Sequence, residues 1–174
     1  VCVNNEESKR DALQEIKTLV NDAVNLRLRA DVPLGAFLSG GLDSSAIVGL
    51  MAKHHKGPLK TFSVVFPKEK YASEQSHALT VAKHFDTKHS EVQKTGKDLQ
   101  QDLKQIISAM DQPTVDGINS YYVSEAAHQG GLTVSLSGLG GDELFHGYPT
   151  FTQIPKLLKL MRLNKALPRQ VIPW

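Results

Sequence analysis

The chain has 174 residues, 40% of them hydrophobic and 22% charged, which fits one ordinary globular domain and excludes intrinsic disorder. Its 20 Lys and Arg against 18 Asp and Glu leave a net charge of +2, too small for a nucleic-acid footprint or a polybasic membrane surface. One cysteine, Cys2, excludes a disulfide framework and a cysteine-based zinc site, and no apolar run reaches the roughly 18 residues of a membrane helix. Low cysteine use and the lack of a secretory signal pattern make the cytoplasm the expected location. Opening on Val1 and ending at Trp174, the chain is expected to be a fragment of a longer protein.

From Ser8 to Arg29 apolar residues recur with helical spacing, through Leu13, Ile16, Leu19, Val20, Ala23, Val24 and Leu28. Ser8 with Asp11 three residues on reads as a capping box. Pro33 closes that helix, and Val32 to Leu38 reads as a buried strand. A turn over Ser39 to Asp43 leads into a helix over Ser44 to His55. Then come a strand over Lys60 to Phe66, a helix over Ser73 to Phe85 and a weaker strand over Thr87 to Val92. Asp98 is placed to cap a helix running to Met110 through Leu99, Leu103, Ile106 and Ile107. A helix over Ser120 to His128 precedes a strand over Leu132 to Leu136, a turn over Ser137 to Gly141 and a last helix over Gln153 to Leu163. Strands alternating with helices predict an α/β fold: a parallel sheet in three layers, covered by helices on both faces. Such sheets bind ligands at the carboxyl ends of their strands, where this chain carries two glycine-rich turns.

The first turn lies in Phe37-Leu38-Ser39-Gly40-Gly41-Leu42-Asp43-Ser44-Ser45, between a strand and a helix. Gly40 and Gly41 permit positive φ and close approach of a ligand to the backbone. Consecutive N–H groups and the opening of a helix make an anion cradle, and Ser39, Ser44 and Ser45 add hydroxyls. The Walker pattern G-x-x-x-x-G-K-[ST] is absent. Asp43 repels bare phosphate, so its presence fits a Mg²⁺ bridging the carboxylate to phosphate oxygens. The plain structural alternative is a tight strand–helix turn capped by Asp43 and Ser44.

This string resembles the Ser-Gly-Gly-x-Asp-Ser pyrophosphate loop of the N-type ATP pyrophosphatases. The second turn, Ser137-Gly138-Leu139-Gly140-Gly141-Asp142-Glu143-Leu144-Phe145-His146-Gly147-Tyr148, resembles the matching string of the asparagine synthetase family. Thr61-Phe62-Ser63-Val64, Asp111-Gln112-Pro113 and Ile118 to Ser124 resemble further family segments in the same order, so the likeness spans roughly residues 8 to 155. It implies an adenine-nucleotide alpha-hydrolase-like fold. The chain is then one partial synthetase domain over residues 1–174, with the glutaminase domain and the C-terminal part absent. The activity implied is amide formation: ATP adenylates a carboxylate, aspartate or a related acid, pyrophosphate leaves, and ammonia from glutamine attacks.

The resemblance also assigns roles. Ser39, Gly40, Gly41, Asp43, Ser44 and Ser45 hold the pyrophosphate of ATP, while Phe37, Leu38 and the backbone of Val64 line the adenine pocket. Ser137 and Gly138 lie near the α-phosphate, and Asp43 and Asp142 are the Mg²⁺ ligands and the catalytic pair. Both turns are then expected at one sheet edge, with both aspartates near solvent. Asp142 has a plainer alternative as a helix N-cap before Glu143 and Leu144. Expected partners are a small carboxylate, ammonia or glutamine, the glutaminase domain and, as an open option, a second copy in a homodimer, with neither nucleic acid nor membrane.

Two positions depart from the family string. Leu139 stands where asparagine synthetases carry a carboxylate, which opens the reading of an amidotransferase paralogue acting on another acid. His146 replaces a residue that is usually Gly. His54 and His55 are expected in solvent at a helix end, and His84 and His89 beside a strand. Cys2 follows Val1 and is not read as a glutaminase nucleophile. GMP or NAD synthetase relatives are disfavoured by the second turn, and thiolation enzymes by the missing interior Cys. A nucleotide-binding module without catalysis is disfavoured by the intact Asp43 and Asp142.

Overall fold

The computed structural model describes residues 6–67, 72–112, 114 and 116–166. Cys2 and Pro113, read above for their chemistry and their family likeness, lie outside these residues. The described chain forms two compact units, residues 1–138 and 139–174.

The first unit holds α1 (Glu6–Arg27), β1 (Leu34–Phe37), α2 (Leu42–His54), β2 (Lys60–Val65), α3 (Ala72–His84), β3 (Lys88–Gln93), α4 (Gly96–Ala109), α5 (Gly117–Gln129) and β4 (Val134–Leu136). The four strands form one parallel sheet in the order β3-β2-β1-β4. The chain therefore winds one way from β1 to β3 and crosses back to β4, leaving a switch point between β1 and β4.

Register sorts the side chains onto two faces. Ala36 pairs with Thr61 and Thr61 with His89, while Phe37 pairs with Phe62. On one face Leu34, Ala36 and Leu38 pack with Val24 of α1, Val48 and Met51 of α2, and Ala78 and Ala82 of α3. On the other, Phe62 packs with Val123, Ala126 and Ala127 of α5, with Phe37, Val64 and Val92 against them. The expected three-layer arrangement is thus present. Each fully buried aliphatic or aromatic side chain contributes roughly 1.5–3 kcal/mol, so these two clusters are what hold the sheet between its helices.

Local starts differ from expectation. α1 is already helical at Glu6, so Ser8 lies inside it and caps nothing. Of its apolar stripe only Val24 is fully buried, while Leu13, Ile16 and Leu19 are exposed. The cap of α4 is Thr95 rather than Asp98: the Thr95 hydroxyl accepts from Asp98 N–H, and Asp98 Oδ2 accepts from Thr95 N–H at 2.6 Å. Asp98 is the reciprocal half of that box, and the Thr95 hydroxyl and then the Thr95 amide hold its carboxyl below the usual range.

The weaker strand has a polar seam. His89 lies inside β3 rather than beside it, its Nδ1 2.9 Å from Thr61 Oγ1 and its Nε2 3.3 Å from Ser63 Oγ. Glu91 stands 3.7 Å from Nε2 and accepts from Gln75 of α3. Burial lowers the His89 pKa, with the Glu91 charge opposing it. His54 is half-buried and 2.8 Å from Asn21 Oδ1, which ties α2 to α1 instead of leaving the ring in solvent.

The second unit holds α6 (Gly141–Phe145) and α7 (Thr150–Ala166), the latter containing Pro155. Among the described residues it contributes no side chain to the buried core.

Candidate nucleotide site

β1 ends at Phe37 and the chain turns through Gly40, whose φ of +87° is a conformation that favours glycine. Gly41 then caps α2 in extended conformation with no side-chain bond. The first intrahelical acceptor is Gly41 C=O, which takes Ser45 N–H at 3.1 Å. The N–H groups of Leu42, Asp43 and Ser44 therefore have no carbonyl four residues back within the helix. Three aligned donors at the positive end of a 13-residue helix favour an anion. Asp43 and Ser44 lie inside α2 and do not cap it.

The serines stiffen this turn. Ser44 Oγ donates to Gly41 C=O at 3.2 Å and Ser45 Oγ does so at 2.7 Å. With the Ser44 proton so placed, the 3.0 Å contact between Ser39 and Ser44 Oγ has Ser39 as donor. Ser39 Oγ accepts from Gly41 N–H at 3.3 Å. Ser44 is buried, Ser39 and Gly41 are exposed, and Asp43 is half-buried. The hydroxyl protons thus brace the loop, and backbone amides supply the remaining donors.

The turn after β4 meets this one. Gly138 lies so near α2 that a Cβ on it would stand 2.7 Å from Ser44 N and 2.9 Å from Asp43 C. Gly138 is therefore a glycine for space, and the room it leaves lies over the helix start. Ser137 and Gly138 share the sheet edge with Ser39 to Ser44, as expected. Phe37 and Val64 lie half-buried on one face against the α5 cluster. Leu38 is fully buried in the opposite cluster, and its N–H donates to Phe62 C=O, so its side chain belongs to the core rather than to a pocket wall.

Asp142 belongs to the second unit. It is the second residue of α6, whose cap is Gly140, so the plain N-cap alternative does not apply to it. It is half-buried. His146 ends α6 at φ +60°, a left-handed residue that explains why glycine suits this place. Among the described residues no three His, Cys, Asp or Glu side chains gather as a self-sufficient metal site. Mg²⁺ is ordinarily held by one or two carboxylates together with substrate phosphates, so Asp43 at the start of α2 fits it.

A second constellation escaped the sequence. Lys94 Nζ stands 3.3 Å from Asp102, 3.5 Å from Glu125 and 4.3 Å from the centre of the Tyr122 ring. Tyr122 is fully buried and its hydroxyl donates to Asp102 at 3.1 Å. Burial, and then the Asp102 bond, push the Tyr122 pKa up to about 12. Burial opposes the Lys94 charge, but the bond to Asp102 and the charge of Glu125 outweigh it and raise the pKa. This cluster locks α4 and α5 to the end of β3. No short motif announces it, because its members span residues 94 to 125. A shallow groove along α4, lined by Gln101, Lys104, Gln105 and Ser108, has no glycine turn and no open helix start.

A parallel sheet between two helix layers, with glycine turns after β1 and the neighbouring edge strand β4, defines an α/β fold of the kind whose ligand sites lie at the switch point. The asparagine synthase family model matches residues 15–172, and the chain belongs to that family. Asparagine synthetase (glutamine-hydrolysing) 1 of Bacillus subtilis is 37% identical over 175 residues, covering 94% of this chain and 27% of that protein. Amidase chyE of Penicillium rubens is 29% identical over 159 residues, covering 83% of this chain and 24% of that protein. The chain therefore spans less than a third of these relatives. An NH3-dependent NAD synthetase from Campylobacter jejuni superposes on 70% of this chain and 54% of its own, with a TM-score of 0.46 and 15% identity.

Proposed function

We propose that this chain is the nucleotide-handling part of an ATP-dependent, amide-forming ligase that adenylates a carboxylate and releases pyrophosphate. The observation that carries the reading is the meeting of Gly138 with the open start of α2, which sets two glycine turns around one anion cradle. The amides of Leu42, Asp43 and Ser44 hold the β- and γ-phosphates as pyrophosphate leaves, and Ser39, Ser44 and Ser45 keep the cradle rigid. Ser137 and Gly138 bring the α-phosphate edge close to the carboxylate that attacks it. Phe37 and the Val64 backbone receive the adenine. Asp43 and, by the family likeness, Asp142 would each offer a carboxylate to Mg²⁺, which when bound would neutralise charge building on the pyrophosphate. The acyl-adenylate then takes ammonia, supplied from glutamine by a glutaminase domain in the whole protein.

A second reading concerns the acid. Leu139 is 82% exposed, and its side chain can neither accept a hydrogen bond nor take a proton from ammonia. It favours a carboxylate other than free aspartate, and one relative is named an amidase rather than an asparagine synthetase. ATP–pyrophosphate exchange against a panel of carboxylates, aspartate included, tests both readings. Carboxylate-dependent exchange supports the ligase, and cleavage of ATP to ADP without exchange contradicts it. Aspartate turnover with kcat/KM at or above about 10⁴ M⁻¹s⁻¹ would remove the case built on Leu139.

A further inference from the structure

Gly147 follows the left-handed residue His146, and its amide donates to Asp142 C=O at 3.0 Å. The reversal is tied on both sides. Tyr148 donates its hydroxyl to Glu143 at 2.9 Å, and Phe151 meets the His146 ring edge-on at 4.4 Å. It carries the Gly147 α-carbon over Asp142. A Cβ on Gly147 would overlap Asp142 Oδ1 and lie 2.7 Å from its Cγ, against 3.2 Å from its Cα. The backbone contact needs a shift of tenths of an ångström, whereas the carboxylate must leave its rotamer.

We propose that Gly147 is a positioning residue: its missing side chain is the space in which the Asp142 carboxylate stands. The proposal rests on the metal role given to Asp142 above. A methyl at Gly147 turns that carboxylate away while sparing most of the loop. Displacing a group that orients a metal ligand lowers affinity by about 10- to 100-fold.

The test uses the full chain with Gly147→Ala, Asp142→Asn and the double variant. Mn²⁺ affinity in the presence of ATP is read by electron paramagnetic resonance, and folding by circular dichroism. The expected result is a loss of about 10-fold or more in Gly147→Ala, no further loss when it is added to Asp142→Asn, and melting within a few degrees of wild type. The proposal is overturned if Gly147→Ala leaves affinity within about twofold while Asp142→Asn weakens it, or if the two losses add in full. Collapse of the fold in Gly147→Ala also overturns it, because Gly147 is then a folding residue. Unchanged affinity in Asp142→Asn removes the metal role itself, and the proposal with it.

Discussion

The segment after β1 and the segment after β4 share a Ser-Gly opening but are built differently. Ser39 to Ser45 is braced by four internal hydrogen bonds that involve serine hydroxyls and is rooted in the core through Leu38. The other segment leaves the first unit at Gly138 and runs through Leu139, Leu144 and Phe145, all exposed. Its order comes from short-range ties: Gly147 to Asp142 and Tyr148 to Glu143. The first segment is a rigid donor frame. The second carries the Asp142 carboxylate in the space left by the missing side chain of Gly147.

Breaking the chemistry on both sides gives the largest effect. Asp43→Asn and Asp142→Asn should each lower Mg²⁺-dependent pyrophosphate exchange by about 10²-fold or more with the fold retained. Both side chains are half-buried and outside the core, so the amide leaves no deeply buried partner stranded. If one variant keeps near-normal exchange, the two segments do not divide the work. Gly138→Ala acts where the first segment is rigid. Its Cβ meets the backbone of α2, so a loss of about 1–3 kcal/mol in urea unfolding is expected, with weaker ATP binding. A stability within experimental error of wild type would mean that the frame yields.

Tyr122→Phe lies away from both segments and serves as the reference. Losing the hydroxyl that donates to Asp102 should remove about 1–2 kcal/mol of stability while leaving the ATP dissociation constant unchanged. A smaller, pH-dependent effect belongs to His89. Its folded pKa is depressed by burial, so the unfolded chain binds the proton more readily. Stability from this group is intact above the unfolded value of 6.5 and is lost as pH falls toward the folded value. Urea midpoints at pH 7.5 and 5.5 should fall in that order, with a smaller drop in His89→Gln.

The contrast also explains what was legible. The first turn could be read because every part of it lies within nine consecutive residues and each has a local reason: glycine for φ, serine for bracing, a helix start for donors. The alternation of strands and helices was legible from apolar periodicity. The sheet order was not, because pairing of β1 with β4 joins residues about a hundred positions apart. The burial of His89 was missed because its partners Thr61 and Ser63 sit on another strand, although the alternating polar positions of β2 and β3 carry the signal. The Lys94 cluster and the fit of Gly147 over Asp142 depend on three-dimensional approach, and a sequence shows neither.

The central claim is that the start of α2, with Gly138 over it, is where ATP phosphates bind. Amide-resolved NMR of the full chain, titrated with ATP and Mg²⁺, tests it most directly. The account predicts that the largest shifts fall on Leu42, Asp43, Ser44 and Gly138 and that Asp43→Asn weakens them. Binding that leaves those amides unmoved, with shifts instead along the α4 groove at Gln101 and Lys104, would contradict it.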